Sequence, residues 1–318
     1  MKVSAPGNIL ILGEYAVLEK GGLGAAAAVD VRVHLESTPD SAPGSSLTVE
    51  AVMPGGSFTW TRERPDDGPL ISAIVAAVEK AAGERTGRIR VDSSALFGPA
   101  GRKAGFGSSA AVSVVLCAAL LAGANTDANT DAGADTSAVA RAALTAHRSA
   151  QGGAGSGYDV YASANGGLGL FTGGVEPAWE RRDSGSLPEL YLFPGPQSVS
   201  TRSSIDLYMQ WKKRNTGKAL SFLEQSNRIV QSFLSARSPA DGASFLRAGR
   251  DLGIELGDSI GVNARIPVPD GLDPDLCKSV GAGNELGLYF RVPSAPEPPP
   301  GAGIRRVSIS ERGLVWER

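Results

Sequence analysis

Hydrophobic positions along the chain come in short blocks separated by turn-forming residues. The opening segment KVSAPGNILILGEYAVLEKGG has an apolar run at Ile9 to Leu12 flanked by glycine-containing turns, and a second strand-like stretch follows at Val29 to Leu35. These predict a β-rich N-terminal layer. Residues 39 to 69 are rich in Pro, Gly, Ser and Asp around two short alternating runs, and Leu70 to Ala82 then has apolar residues at helical spacing. A strongly apolar helix is predicted over Ser108 to Ala122, and it ends in AGANTDANTDAGADTSA, small polar residues that cannot build a core and predict a solvent-exposed connection. The Ala-rich stretch Ser137 to Ala150 reads as a helix that runs into QGGAGSGYDVYASANGG, where six glycines break regular structure.

In the second half the pattern predicts a strand at Leu190 to Phe193 and helices at Ala219 to Leu234 and Gly242 to Leu256. PSAPEPPPG, starting at Pro293, reads as an extended linker between strands Gly287 to Val292 and Ile304 to Ile309. A change of composition near Gly185 to Leu190 places the expected boundary between two lobes, 1–185 and 186–318. Periodicity alone yields a mixture of α and β.

A chain of 318 residues is long enough for two domains, each with a core of its own. The formal net charge is −2 with both signs intermixed, which leaves no basic footprint for nucleic acid or an anionic membrane. Only two cysteines occur, so neither a disulfide framework nor a thiolate metal site is expected. The longest apolar stretch, Ala110 to Ala124, is interrupted by Ser113 and is too short for a bilayer span. Met1 leads straight into a strand-like segment without a signal pattern. The expectation is a cytoplasmic enzyme acting on a small molecule, monomer or homodimer, with no nucleic-acid or membrane partner.

The chemistry is concentrated in GRKAGFGSSAAVSVVLCAALL, where Gly105 and Gly107 precede Ser108, Ser109 and Ala110 at the start of the apolar helix. Glycines let the backbone approach a ligand closely, and the first helical N–H groups are unpaired and electropositive. A polyphosphate suits that position, and either serine hydroxyl could bind Mg²⁺. An ordinary Ser-capped helix after a Gly-rich turn has the same local pattern. The chain has neither GxxxxGK[ST] nor a GxGxxG after a strand, so no Walker or Rossmann site is indicated.

SAPGNILILGEYAVLE, GRKAGFGSSAAV and KSVGAGNELG, in that order, resemble the three signature motifs of the GHMP kinase superfamily. GEYAVL, the Lys two residues before GFGSSAA, the loop AHRSAQGGAGSGYDV and the segment FPGPQSVSTRSSIDL most resemble the phosphomevalonate kinases. The resemblance implies an α+β fold with an S5-like N-terminal lobe and a ferredoxin-like C-terminal lobe. It implies transfer of the γ-phosphoryl of MgATP to the phosphate of 5-phosphomevalonate, giving 5-diphosphomevalonate.

By the same resemblance, Ser108 or Ser109 holds Mg²⁺, and Gly105, Gly107, Ser108, Ser109, Ala110, Gly281, Ala282 and Gly283 serve the nucleotide. Asp159 and Lys103 are catalytic, while Ser156, Arg148, Ser200, Thr201, Arg202 and Lys278 face the phosphorylated acid substrate. His147 reads as a packed histidine, although the resemblance puts it where related kinases carry a metal-binding carboxylate.

Two departures stand out. Asn8 occupies the catalytic position where the family has APGK, and an amide supplies no charge; the third motif reads GAGNELG, with Asn284 and Glu285 where the family favours further glycines and Asp. A hydroxyl acceptor must lose its proton, whereas a phosphate acceptor, with a second pKa of about 6, is already largely dianionic. Asn8 therefore weighs more against a mevalonate kinase than against a phosphomevalonate kinase. Two alternatives remain: a GHMP-fold paralogue that binds nucleotide or a phosphorylated metabolite without efficient catalysis, and a kinase for another small acceptor such as mevalonate.

Overall fold

The structure is a computed structural model that describes residues 1–38, 40, 45–98, 101, 104–122, 134–153, 155–185, 187–196, 201–299 and 303–317. In chain order the strands are β1 (Lys2–Leu12), β2 (Leu23–Thr38), β3 (Leu47–Met53), β4 (Gly56–Thr61), β5 (Gly87–Asp92), β6 (Leu168–Thr172), β7 (Ala178–Arg182), β8 (Glu189–Pro194), β9 (Cys277–Val280), β10 (Leu286–Arg291), β11 (Arg305–Arg306) and β12 (Val315–Glu317). The helices are α1 (Pro69–Ala82), α2 (Ser108–Ala122), α3 (Thr136–Ala150), α4 (Tyr158–Asn165), α5 (Thr201–Arg214), α6 (Thr216–Leu234) and α7 (Pro239–Ile260). They form two compact units, Met1–Ile9 with Ala28–Gly167 and Ser310–Arg318, and Leu10–Ala27 with Leu168–Ile309. This is the expected two-lobed α+β organisation. The expected boundary at 185/186 falls inside the second unit, because β6 and β7 belong with the first half of β2.

In the first unit the strand order is β12-β1-β2-β5-β3-β4, with β5 antiparallel to the second half of β2 and parallel to β3. Helices α1 to α4 pack on one another. Their apolar stripes explain this: Ile71, Ile74, Val75 and Val78 of α1 are buried, and α2 is buried on nearly every face from Ala110 to Leu120. The polar residue inside α2, Ser113, satisfies itself by donating from Oγ to the Ser109 carbonyl at 2.8 Å. The C-terminal segment returns to this unit through Arg32. Its guanidinium donates to the carbonyls of Ser4, Arg312 and Gly313 and to the hydroxyls of Ser4 and Ser310.

In the second unit, β6 pairs with Leu23 to Ala27 of β2, and a four-stranded antiparallel sheet runs β11-β8-β10-β9. Helices α5, α6 and α7 pack together, with a core of Ala16, Tyr208, Phe222, Leu256, Ile260 and Val262. Helix α5 has no counterpart in the predicted elements, and of the expected strand Ile304 to Ile309 only Arg305–Arg306 joins the sheet. The exposed connection expected after Ala122 falls largely outside the described residues. Cys117 and Cys277 are both buried and free, and burial pushes both thiols up to about 12. No helix among the described residues is long and apolar enough to cross a membrane.

Candidate phosphate-binding site

Most of the candidate residues lie in the first unit, around the turn that feeds α2. Gly105 (φ 79°) and Gly107 (φ 59°) both adopt left-handed backbone, so glycine is required there on conformational grounds alone. Gly107 is required sterically as well, since a Cβ at that position would stand 2.2 Å from Asn8 Nδ2. Phe106 between them is buried and anchors the turn. The Gly107 carbonyl accepts from the N–H groups of Ala110 (3.1 Å) and Ala111 (3.3 Å), starting the helix. The N–H groups of Ser108 and Ser109 have no acceptor within the helix, and with the macrodipole behind them they suit an anion.

Asn8 is 2% exposed on β1. Its backbone N–H donates to the Phe106 carbonyl at 3.0 Å, and its amide donates to Ser163 Oγ at 3.1 Å and to the Gly107 carbonyl at 3.4 Å. Asn8 therefore ties the loop before α2 to α4, the helix that carries Asp159. It acts as a neutral tether, and the catalytic charge that a lysine would bring is absent from this position.

Ser109 Oγ lies 3.0 Å from His147 Nε2, in the last turn of α3. The Gln151 amide nitrogen is 3.2 Å from the same Nε2, and Nδ1 on the other side of the ring is 3.8 Å from Asp159 Oδ2. One ring atom, Nε2, thus faces both Ser109 and Gln151, while Nδ1 is turned towards Asp159. Asp159 is the second residue of α4 and accepts the Val160 N–H through Oδ1 at 2.9 Å. The helix starts from Gly157 (φ 92°), where a Cβ would meet Leu144 Cδ1 at 2.2 Å. Asp159 thus stands in the first turn, where its charge complements the dipole.

Arg148, expected to face substrate, donates from Nε to the Gly155 carbonyl at 3.0 Å and from Nη2 to the Ser156 carbonyl at 2.8 Å. Burial holds its guanidinium below the ordinary value, against the opposing pull of Tyr161 and Asp159. It shapes the GSG loop from within. Ser156 is buried, with Oγ 3.5 Å from the Tyr158 N–H.

The second unit holds the remaining described candidates. Thr201 and Arg202 are exposed in the first turn of α5. Lys278 is 2% exposed on β9, and its three N–H groups are taken by the Glu14 carboxylate, the Ile11 carbonyl (3.1 Å) and the Ser279 carbonyl (2.7 Å). The expectation of a substrate-facing cation does not fit that arrangement, because Glu14 neutralises the charge and no hydrogen is left over. Gly281 (φ 83°) opens the turn of Ala282 and Gly283, and the Ala282 carbonyl accepts from the Tyr15 hydroxyl at 2.6 Å. Tyr15 itself is strained, at φ 64° and ψ −39°, and it packs against Tyr208 with ring centroids 5.3 Å apart. Asn284 donates to the Arg265 carbonyl at 3.2 Å, so the departure in the third motif serves the local backbone. Lys103 and Ser200 lie outside the described residues.

Sequence reasoning treated His147 as packing and did not single out Gln151 or Ser163. The signal for the first pair was the i, i+4 spacing of His147 and Gln151, which puts both on one helix face. Among the described residues no group of three or more His, Cys, Asp or Glu is arranged to hold a metal ion.

Residues 69–167 match the family model for the GHMP kinases N terminal domain. No curated protein sequence matches the chain. Among solved structures, the Lin0012 protein from Listeria innocua is similar at TM-score 0.76 and 18% identity, over 99% of both chains. Streptococcus pneumoniae phosphomevalonate kinase in complex with phosphomevalonate and AMPPNP is similar at TM-score 0.70 and 18% identity, over 92% of this chain and 93% of that one. L. major mevalonate kinase in complex with R-mevalonate gives 0.64 and 17%, over 92% and 88%. At these identities the likeness shows the fold alone, a mixed α+β fold with two lobes that resembles the GHMP kinase architecture.

Proposed function

We propose, from the premise that the chain has the GHMP kinase fold with the family's N-terminal domain at residues 69–167, that it transfers the γ-phosphoryl group of MgATP to the phosphate of 5-phosphomevalonate. The observation that carries this reading is the loop Gly105 to Ser109. Two left-handed glycines lead into the buried helix α2, whose first N–H groups are unpaired, with serine hydroxyls at its start. That is a donor-phosphate cradle. Phosphoryl transfer asks a protein chiefly to position two groups and screen charge, and this unit is built for positioning.

Asn8 supports the choice of acceptor. A hydroxyl acceptor needs a base tuned by a nearby cation, and the buried amide of Asn8, spent on Gly107 and Ser163, is no cation. A phosphate acceptor, largely dianionic at neutral pH, reacts without that deprotonation. Asp159 then orients the acceptor instead of removing a proton from it. Arg148 holds the Gly155 and Ser156 carbonyls so that the loop before Asp159 keeps its shape.

The residues fit Mg²⁺ that arrives with the nucleotide. Such an ion needs one or two protein oxygens besides phosphate and water, and the hydroxyl oxygens of Ser109 and of the adjoining Ser108, at the start of α2, are oxygens of that kind. When bound, Mg²⁺ neutralises charge on the phosphates. The test is an acceptor screen: purified protein with MgATP is expected to form ADP with 5-phosphomevalonate at least roughly tenfold faster than with mevalonate, since a site built to pair one polar group rejects the analogue lacking it. ADP formation with mevalonate alone overturns the acceptor. Tight binding of both ligands without turnover favours a non-catalytic paralogue, a reading for which the uncharged Asn8 is the specific observation.

A further inference from the structure

Tyr15 is the one residue other than glycine at positive φ among the described residues. At φ 64° and ψ −39°, with the Ala16 N–H donating across it to the Glu14 carbonyl at 2.8 Å, it forms a γ-turn of the strained, positive-φ kind. Such a conformation persists only where its surroundings hold it. Lys278 pairs with the neighbouring Glu14 carboxylate, the Tyr15 ring lies against Tyr208, and the Tyr208 hydroxyl donates to Glu19 Oε1 at 2.9 Å. What the turn delivers is the phenol, whose hydroxyl donates to the Ala282 carbonyl at 2.6 Å. A carbonyl carries no hydrogen, so the direction of that bond is fixed. All of these groups lie in the second unit.

The Ala282 carbonyl and the Gly283 N–H belong to one planar trans peptide, so the two point opposite ways. Gripping the carbonyl therefore aims the N–H. Gly283 is buried, and among the described residues neither its N–H nor that of Ala282 has an acceptor. A buried N–H left unpaired is rare in a folded chain, because it forfeits its hydrogen bond to water. In the glycine-bearing turn between the antiparallel strands β9 and β10, such donors suit an anionic oxygen.

We infer that Tyr15 is a positioning residue: by holding the Ala282 carbonyl it points the Gly283 N–H at an anionic phosphate oxygen of the nucleotide. This rests on the nucleotide role that the third-motif likeness implies for Gly281, Ala282 and Gly283, and it does not depend on which acceptor is phosphorylated. Tyr15 acts through that peptide.

The experiment is a calorimetric titration of the whole protein with MgADP, alongside the KM for MgATP. Tyr15→Phe keeps the ring and loses the grip on Ala282; Tyr208→Phe, in the same aromatic cluster, loses the bond to Glu19 and keeps that grip. Tyr15→Phe is expected to weaken MgADP binding roughly fivefold, about the net worth of one hydrogen bond, and to raise the KM for MgATP by a like factor with kcat within about twofold. Tyr208→Phe is expected to bind MgADP within about twofold of the unaltered protein, which separates aiming from a general loosening of the cluster. In protein carrying ¹⁵N-labelled glycine, the Gly283 amide resonance, identified by its loss in Gly283→Ala, is expected to move on saturation with MgADP and to move less in Tyr15→Phe. An unchanged affinity in Tyr15→Phe, an equal loss in Tyr208→Phe, or a Gly283 amide that ignores MgADP each overturns the inference. If the unaltered protein binds no MgADP, the proposed function falls with it. If it binds MgADP and shows the Tyr15→Phe loss yet makes no diphosphate product, the proposed function alone falls.

Discussion

The two units solve the problem of buried polar groups in opposite ways. In the first, around the loop before α2, Asn8, Ser109, Ser163, His147 and Gln151 pair with one another and with backbone through hydrogen bonds, with Asp159 3.8 Å from the His147 ring. In the second, the turn Glu14 to Glu19 is held by charge: Lys278 pairs with Glu14, and Glu19 receives both Lys212 and the Tyr208 hydroxyl. Charges inside a protein tolerate little movement and lose heavily when unpaired, so the second arrangement is a clamp. Hydrogen bonds between uncharged groups cost less to rearrange. Under the proposed function, a site that accepts and releases polyphosphate is better framed by the first kind of neighbour, whose hydrogen bonds rearrange at little cost.

This contrast can be broken most sharply at Lys278. Lys278→Met leaves Glu14 without its partner in a buried place, and is expected to destabilise the protein by about 3–5 kcal/mol, read from denaturant unfolding. Glu14→Gln combined with Lys278→Met is expected to recover much of that loss, which a merely local packing defect at Lys278 would not allow. Next in size is Asn8→Lys. The position is 2% exposed and packed against Gly107, so the longer side chain overpacks the loop; a loss of about 1–3 kcal/mol and lower turnover are expected. Higher turnover would show that the amide is a damaged catalytic cation instead of a tether.

The smallest effect belongs to Tyr15. Tyr15→Phe removes the hydrogen bond to the Ala282 carbonyl and is expected to cost about 1 kcal/mol. Burial, its largest cause, raises this phenol from an ordinary 10 to about 12, with Glu14 adding and Ser204 opposing. Between those values the unfolded chain has lost the proton and the folded one has kept it, so stability falls as pH rises from 10 towards 12. Unfolding measured across that range is expected to show a shallower alkaline loss in Tyr15→Phe. An identical slope in both proteins would mean that the phenol is not shielded in the folded state.

Much of the fold was legible because it rests on periodicity. Helix α2 spans the predicted Ser108 to Ala122, and α1, α3, α6 and α7 lie over the predicted helical stretches. Helix α5 escaped because its segment was read through a motif likeness; yet Ile205, Tyr208 and Trp211 recur every three residues, and Lys212, Lys213 and Arg214 close its last turn. The short β11 and the return of the C-terminus as β12 depend on partners far away in sequence, which local patterns do not report.

At the site the same division holds. The positive-φ glycines, the helix start at Ser108 and the first-turn Asp159 are consequences of residue type and local sequence, and the chain alone determines them. What Asn8, Arg148, His147 and Lys278 do was decided by tertiary structure. Each is a polar side chain whose role depends on the partner folding brings to it: Gly107 and Ser163, the Gly155 and Ser156 carbonyls, Ser109, and Glu14. Residue type sets which hydrogen bonds a side chain can make, and only the packed chain sets which of them are made.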